Sequence, residues 1–314
     1  MDASIILQVV LLIVGFVFLI KGSDFFVDGA SSIAALLKIP TIIVGLTIVA
    51  LGTSAPEAAV SITSSLTGSN ALAVSNVIGS NLFNMLMVIG IAALLSELLM
   101  EKSVLEKDLP FLVGITLLWA VFIIIGWDIT NIEGIILLLI LVAYIFYLVR
   151  DAKKSSEATE VEEPKFTLPK SIIFILVGLA GIIIGGDLVV DSASAIAIAL
   201  GMSETLVGLT IVAIGTSLPE LVTSITALKK GENQLVIGNV IGSNIFNILF
   251  VLGASSAISA IPLDSSLLID VLFMFAVTVL CFIFGKTQEK YDKKEGVILI
   301  ALFIAYMAFA ILRN

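Results

Sequence analysis

The chain has 314 residues, 59% of them hydrophobic and 13% charged, with a mean hydropathy of +1.20. Ordinary soluble domains carry about 25% charged residues. A soluble globular fold is therefore excluded, and a single cysteine, Cys281, with no histidine excludes an internal disulfide, a soft-metal cluster and a histidine proton relay at a formal net charge of −9.

Continuous apolar runs of roughly 17 to 25 residues are long enough to cross about 30 Å of hydrocarbon as helices. A barrel would alternate polar and apolar residues in segments of about 10. The reading is an all-α polytopic membrane protein. Ten spans are expected. The first covers 5–37, long enough to be strongly tilted, and lacks a basic leader and cleavage site, so it reads as a retained helix. The second and third cover 42–66 and 71–95, the fourth 110–126 and the fifth 135–149. A polar, acidic segment follows at 151–169, bounded by Pro164 and Pro169, and reads as a flexible linker too short to be a folded domain. The sixth span covers 172–200, the seventh 206–228, the eighth 234–260, the ninth 267–284 and the tenth 297–312. Trp119 and Trp127 read as interface anchors.

The second and third spans have a copy. Residues 44–90 and 207–253 align without a gap at an offset of 163, with 29 of 47 pairs identical. Asp24 and Asp28 recur as Asp187 and Asp191, and Glu133…Tyr144 as Glu295…Tyr306. These four aspartates read as vestibule-facing or helix-end acids. Each half then holds five spans, 1–150 and 170–314, joined by the linker 151–169. An odd number of spans per half turns the second half upside down, the inverted-repeat plan of secondary transporters. With the N-terminus outside, the inner connections hold fourteen Lys and Arg residues. The outer side holds Arg313, and Lys21 lies inside the first span. This positive-inside bias puts both termini outside and the linker in the cytoplasm of a multi-pass cell-membrane protein.

Each copy sets one acid beside a proline. In Gly52-Thr53-Ser54-Ala55-Pro56-Glu57 the proline lacks an N–H and clashes with the carbonyl four residues back. The helix is expected to break there, freeing carbonyls from Ala50 to Thr53 as ligands. Thr53, Ser54 and Glu57 bring their oxygens near one face. The second copy repeats the set with Ala213, Thr216, Ser217 and Glu220. Further along, Gly79-Ser80-Asn81-Leu82-Phe83-Asn84 is matched by Gly242-Ser243-Asn244-Ile245-Phe246-Asn247. Ser80 shares a face with Asn84, and Ser243 with Asn247. Asn81 and Asn244 read as interhelical glue, and the glycines as points of close approach. Oxygen donors without sulfur, imidazole or a basic group suit a hard cation. Ca²⁺ takes six to eight oxygens in flexible geometry, and Na⁺ uses smaller subsets. No nucleophile–base pair or nucleotide loop is present, which argues against an enzyme. No nucleic-acid or protein partner is read; the partners are the ions and membrane lipid.

At these residues the chain resembles the cation/calcium exchanger superfamily, in its sodium/calcium exchanger branch. The paired GTSxPE and GSNxFN segments look like that family's α-repeats, in the same order over the whole chain. The resemblance implies a ten-helix inverted repeat working by alternating access, with the long first and sixth spans sliding as a gating pair. It implies that Glu57 and Glu220 are shared by Ca²⁺ and Na⁺, and that Thr53 and Thr216 serve Ca²⁺. Ser54, Ser217, Ser80, Ser243 and the carbonyls of Ala50 and Ala213 would serve Na⁺. Asn84 and Asn247 would form the central polar pair. Some relatives carry Asp at position 247; in the potassium-dependent branch it is tied to K⁺, so Asn247 argues against K⁺ dependence. The proton-coupled branch shows Gly-Asn-x-x-Glu where this chain has Gly-Thr-Ser-x-Pro-Glu, which argues against H⁺ coupling. Those two couplings are the alternatives within the superfamily, and a cation channel is the alternative of another class. The linker is too short for the calcium-sensing domain of animal exchangers.

Overall fold

The computed structural model describes residues 3–68, 70–155, 163–202, 207, 211, 213–262 and 265–313. Helix α1 (Ala3–Leu37) ends where Lys38 turns left-handed ahead of Pro40, which cannot continue it. Next come α2 (Thr41–Thr53) and α3 (Ala55–Leu66), one span bent by 49°. Pro56 sits in the first turn of α3, where its missing N–H costs nothing. Helix α4 (Leu72–Leu95), α5 (Val104–Gly126) and α6 (Asn131–Ser155) complete the first half. The second half runs α7 (Leu168–Ala199), the short α8 (Ala213–Gly215), α9 (Leu218–Lys229), α10 (Asn233–Ile258), α11 (Ser265–Gln288) and α12 (Lys293–Arg313).

Eight of these helices are long and apolar enough to cross a membrane, nine with the bent pair. The protein is a multi-pass membrane protein, nearly all helical. The expected seventh span begins in residues 203–206, 208–210 and 212, which lie outside the described residues, as does 156–162 of the linker. The expected boundaries of the other spans agree with the helices to within four residues, except that α5 begins six residues before the expected fourth span and α6 ends six residues after the expected fifth.

Helices α4 and α10 form the centre: 78% and 94% of their most apolar windows are buried, against 17–39% for the other spans. The outer helices turn leucine, isoleucine and phenylalanine outward, such as Ile13, Phe146 and Leu176. In lipid those faces cost nothing. Antiparallel to each other, α1 and α7 pack backbone to backbone. A Cβ on Gly22 would stand 2.7 Å from the Ile182 nitrogen, and one on Gly185 2.6 Å from the Leu19 nitrogen. Two short antiparallel strand pairs cross between halves, Leu98–Leu99 with Lys290–Tyr291 and Asp128–Ile129 with Ile261–Pro262.

Trp119 is not an interface anchor. It is fully buried on the inner face of α5, while Trp127 is half exposed and caps that helix in a left-handed conformation.

Candidate functional site

Ser54 is the residue at which the bent span breaks, with φ −82° and ψ 7°. Its N–H still reaches the Ala50 carbonyl at 3.0 Å, and the Thr53 hydroxyl lies 3.4 Å from the same oxygen. The Ala50 carbonyl is therefore engaged and not free as expected. The reason is register: Pro56 withholds a donor from Gly52, four residues back, whereas the partner of Ala50 is Ser54. The second break differs. There the Ser217 N–H goes to Ile214 at 3.1 Å, a tighter turn that leaves the Ala213 carbonyl without that donor.

Both breaks deliver their acids to one place. Glu57 and Glu220 are fully buried. Each is held by the other half: the Ser217 hydroxyl donates to Glu57 Oε1 at 3.2 Å, and the Ser54 hydroxyl donates to Glu220 Oε1 at 3.3 Å. Ser80 donates to Glu57 Oε1 at 3.1 Å. Its counterpart Ser243 faces the Thr53 hydroxyl at 3.3 Å.

The central asparagines sit in π-helical turns, Phe83–Val88 in α4 and Asn247–Leu252 in α10. Such wide turns concentrate at functional sites. Asn84 donates to Asn244 Oδ1 at 3.1 Å, and Asn247 donates to Ser80 Oγ and Asn81 Oδ1, both at 3.0 Å. Asn81 and Asn244 also exchange bonds with each other's backbone carbonyl, at 3.5 and 3.3 Å. This matches their reading as glue between helices. Gly242 is a point of close approach, since a Cβ there would be 2.7 Å from Ala50 Cβ; Gly79 has no such neighbour among the described residues.

Asn76 and Asn239 were not read from the sequence as site residues. Asn76 donates to the Glu57 carbonyl at 3.2 Å and to Ser61 Oγ at 2.9 Å; Asn239 donates to the Glu220 carbonyl at 3.4 Å and to Ser224 Oγ at 3.0 Å. They occupy matching positions of the repeat. A duplicated amide inside an apolar run is the signal that pointed to them.

Nine buried side-chain oxygens have no hydrogen-bond partner among the described residues, and four of them belong to the acids and central asparagines of this site: Glu57 Oε2, Glu220 Oε2, Asn84 Oδ1 and Asn247 Oδ1. Buried polar atoms are nearly always paired. All four are acceptors, so further acceptors are useless to them and a cation is the natural complement. Among the described residues there is no cluster of three His, Cys, Asp or Glu side chains. The donor set is two carboxylates with amide and hydroxyl oxygens, which suits hard cations.

Comparison with known proteins agrees with this chemistry. A family model described as sodium/calcium exchanger protein matches residues 7–150 and 170–312. The chain is 39% identical to a putative antiporter, CaxA, of Alkalimonas amylolytica, over 95% of this chain and 96% of that one. It is 32% identical to the sodium/calcium exchanger MaX1 of Methanosarcina acetivorans, over 95% and 96%. The solved structure of the sodium-calcium exchanger NCX_Mj soaked with 2.5 mM Na⁺ and 10 mM Sr²⁺ superposes with a TM-score of 0.86 at 31% identity, covering 97% of this chain and 99% of that one.

Proposed function

The chain belongs to the sodium/calcium exchanger family, and from that premise we propose that it is a secondary antiporter exchanging Ca²⁺ for Na⁺ by alternating access. The single observation that carries the proposal is the set of four unpartnered acceptor oxygens on Glu57, Glu220, Asn84 and Asn247. Two come from each half, and hydrogen bonds between the halves, such as Ser217 to Glu57 and Ser54 to Glu220, draw that region together.

In this reading the protein has ten spans in two inverted repeats, 1–150 and 170–314, with the linker 151–169 in the cytoplasm and both termini outside. The reciprocal bonds support that arrangement, since Ser54 reaches Glu220 as Ser217 reaches Glu57. The cation ligands are drawn from Glu57, Glu220, Thr53, Thr216, Ser54, Ser217, Ser80, Ser243, Asn84, Asn247 and the carbonyls of Ala50 and Ala213. Of these, the Ala50 carbonyl must give up a bond before it can bind an ion.

Charge explains why the cycle is an exchange. Two ionised carboxylates carry −2 through a low-dielectric barrier, at a cost of at least about 2–3 kcal/mol each. One Ca²⁺ cancels that charge, and so do two or more Na⁺ spread over the same oxygens. An empty carrier keeps the penalty and does not switch. The test is Na⁺-driven ⁴⁵Ca²⁺ uptake in proteoliposomes. Glu57→Gln and Glu220→Gln should each abolish it; uptake at the wild-type rate in both would remove the proposed site.

A further inference from the structure

We infer that Asn76 and Asn239 are positioning residues for cation binding, each orienting the threonine hydroxyl of the opposite half so that its lone pairs face the site. The inference rests on the antiporter reading above.

The argument starts from donors and acceptors. A backbone carbonyl can only accept. Asn239 lies 3.4 Å from the Glu220 carbonyl, so its nitrogen must be the atom facing it. The Asn239 oxygen then points to Thr53 Oγ1, at 3.0 Å. An amide oxygen cannot donate, so Thr53 is the donor in that bond, which is shorter than its contacts with Ser243 and the Ala50 carbonyl. Both remaining lone pairs of Thr53 are thereby released from donating duty and left as acceptors. Asn76 repeats the logic: its nitrogen faces the Glu57 carbonyl at 3.2 Å, and its oxygen takes the Thr216 hydroxyl at 3.5 Å.

The straps are crossed. Asn76 holds the backbone of Glu57 in its own half and the hydroxyl of Thr216 in the other; Asn239 holds Glu220 and Thr53. Each amide therefore couples an acid from one break to a threonine from the other. Neither asparagine needs to touch the ion. Without its strap, the Thr53 hydrogen is free to turn toward Ser243 Oγ at 3.3 Å or back to the Ala50 carbonyl at 3.4 Å. Those are two of the oxygens the site needs as acceptors, so a misdirected hydrogen occupies one of them and turns the Thr53 lone pairs away from the cation.

The test is a double-mutant cycle in proteoliposomes. Half-saturating Ca²⁺ and maximal rate are measured for Asn239→Ala, Thr53→Val and the double variant. Each single variant should raise half-saturating Ca²⁺ about tenfold, the size of one lost hydrogen bond. If Asn239 acts through Thr53, the double variant resembles either single one and does not reach a hundredfold. Maximal rate should move less than affinity. Multiplying effects, or an unchanged half-saturation in Asn239→Ala, would overturn the inference. Asn239→Asp keeps the acceptor facing Thr53, and Asn76→Ala with Thr216→Val gives the twin cycle, so a misfolded variant does not end the test. Failure of all three asparagine variants to fold would assign the pair to the scaffold and refute the inference. A wild-type protein that exchanges no Ca²⁺ for Na⁺ would refute the antiporter reading instead.

Discussion

At the scale of single residues, Asn247 would set the charge of the proposed ion site. Its oxygen is one of the four unpartnered acceptors, while its nitrogen donates to Ser80 and Asn81. An amide gives an acceptor without a charge, so the formal count at the site stays at −2, the charge one Ca²⁺ cancels. Asn247→Asp tests this. Protonated, the new side chain keeps an acceptor and one donor and leaves the count at −2. Ionised, it presents acceptors to Asn81 Oδ1 and raises the count to −3, which Ca²⁺ alone no longer neutralises. The sign follows: exchange by the variant should be near wild type at low pH and fall as pH rises and the carboxylate ionises. Because a buried residual charge costs several kcal/mol, the loss at high pH should exceed tenfold. Initial rates of ⁴⁵Ca²⁺ uptake between pH 5 and 9 check it, and a variant whose profile parallels the wild type would show that residue 247 does not face the ions.

The helices come next, and they show what was legible beforehand. The breaks at Ser54 and Ser217 were readable, because a proline inside an apolar run leaves one carbonyl without its donor whatever surrounds it. So were most span limits, which follow from run length, while α5 and α6 extend six residues further because their charged ends continue the helix beyond the apolar run. The π turns at Asn84 and Asn247 were not readable, since a widened turn is chosen by what packs around it. The engaged carbonyl of Ala50 was missed because the break was read as a zone, when only the partner of Pro56 loses its donor. Trp119 was misplaced because a span that is apolar on every side does not say which face turns inward.

The seam between α1 and α7 is another such case. Glycines recur every seven residues at Gly15, Gly22 and Gly29, but only packing shows that each meets the α7 backbone. Glycines let the two backbones approach closely, and in the proposed alternating carrier this pair is the one expected to slide. Gly22→Ala places a methyl 2.7 Å from the Ile182 nitrogen and 2.8 Å from the Gly178 carbonyl. Backbone cannot yield there, so the helices must separate. The proposed ion ligands lie on other helices. We expect maximal exchange rate to fall at least tenfold while Ca²⁺ affinity, followed by Ca²⁺-dependent thermal stabilisation in detergent, stays within about twofold. An equal loss in both would place the seam in the binding step.

Over the whole molecule the two halves are nearly reciprocal at the site and unequal at the rim. Lys230, on the turn between α9 and α10, lies 2.9 Å from Asp28 Oδ2 and 3.7 Å from Asp24 Oδ1, and donates to the Asp24 carbonyl at 2.8 Å. Lys165, at the end of the linker, adds a contact of 3.4 Å to Asp28. These bonds tie α1 to the hairpin that carries Glu220, Ser243 and Asn247, on the side of the membrane where the linker lies. The repeat partners Asp187 and Asp191 form no ion pair among the described residues, and the position matching Lys230 is Thr67. Among the described residues the clamp on Asp24 and Asp28 has no counterpart at Asp187 and Asp191, and in the proposed alternating carrier that inequality makes the two access states differ in energy. The pairs are part exposed, so each contributes about 1 kcal/mol or less; that is up to about fivefold in a two-state ratio. Removing the clamp with Lys230→Gln should therefore enlarge the fraction of carriers open to the linker side. Apparent affinity scales with the competent fraction. In proteoliposomes of defined orientation, half-saturating Ca²⁺ should drop on the linker side and rise on the other. High salt should move the wild type in the same direction by screening the pairs, and should move Lys230→Gln much less. If the ratio of the two half-saturations is the same in wild type and variant at low salt, the ion pairs do not bias the cycle, and the asymmetry of the rims is only structural.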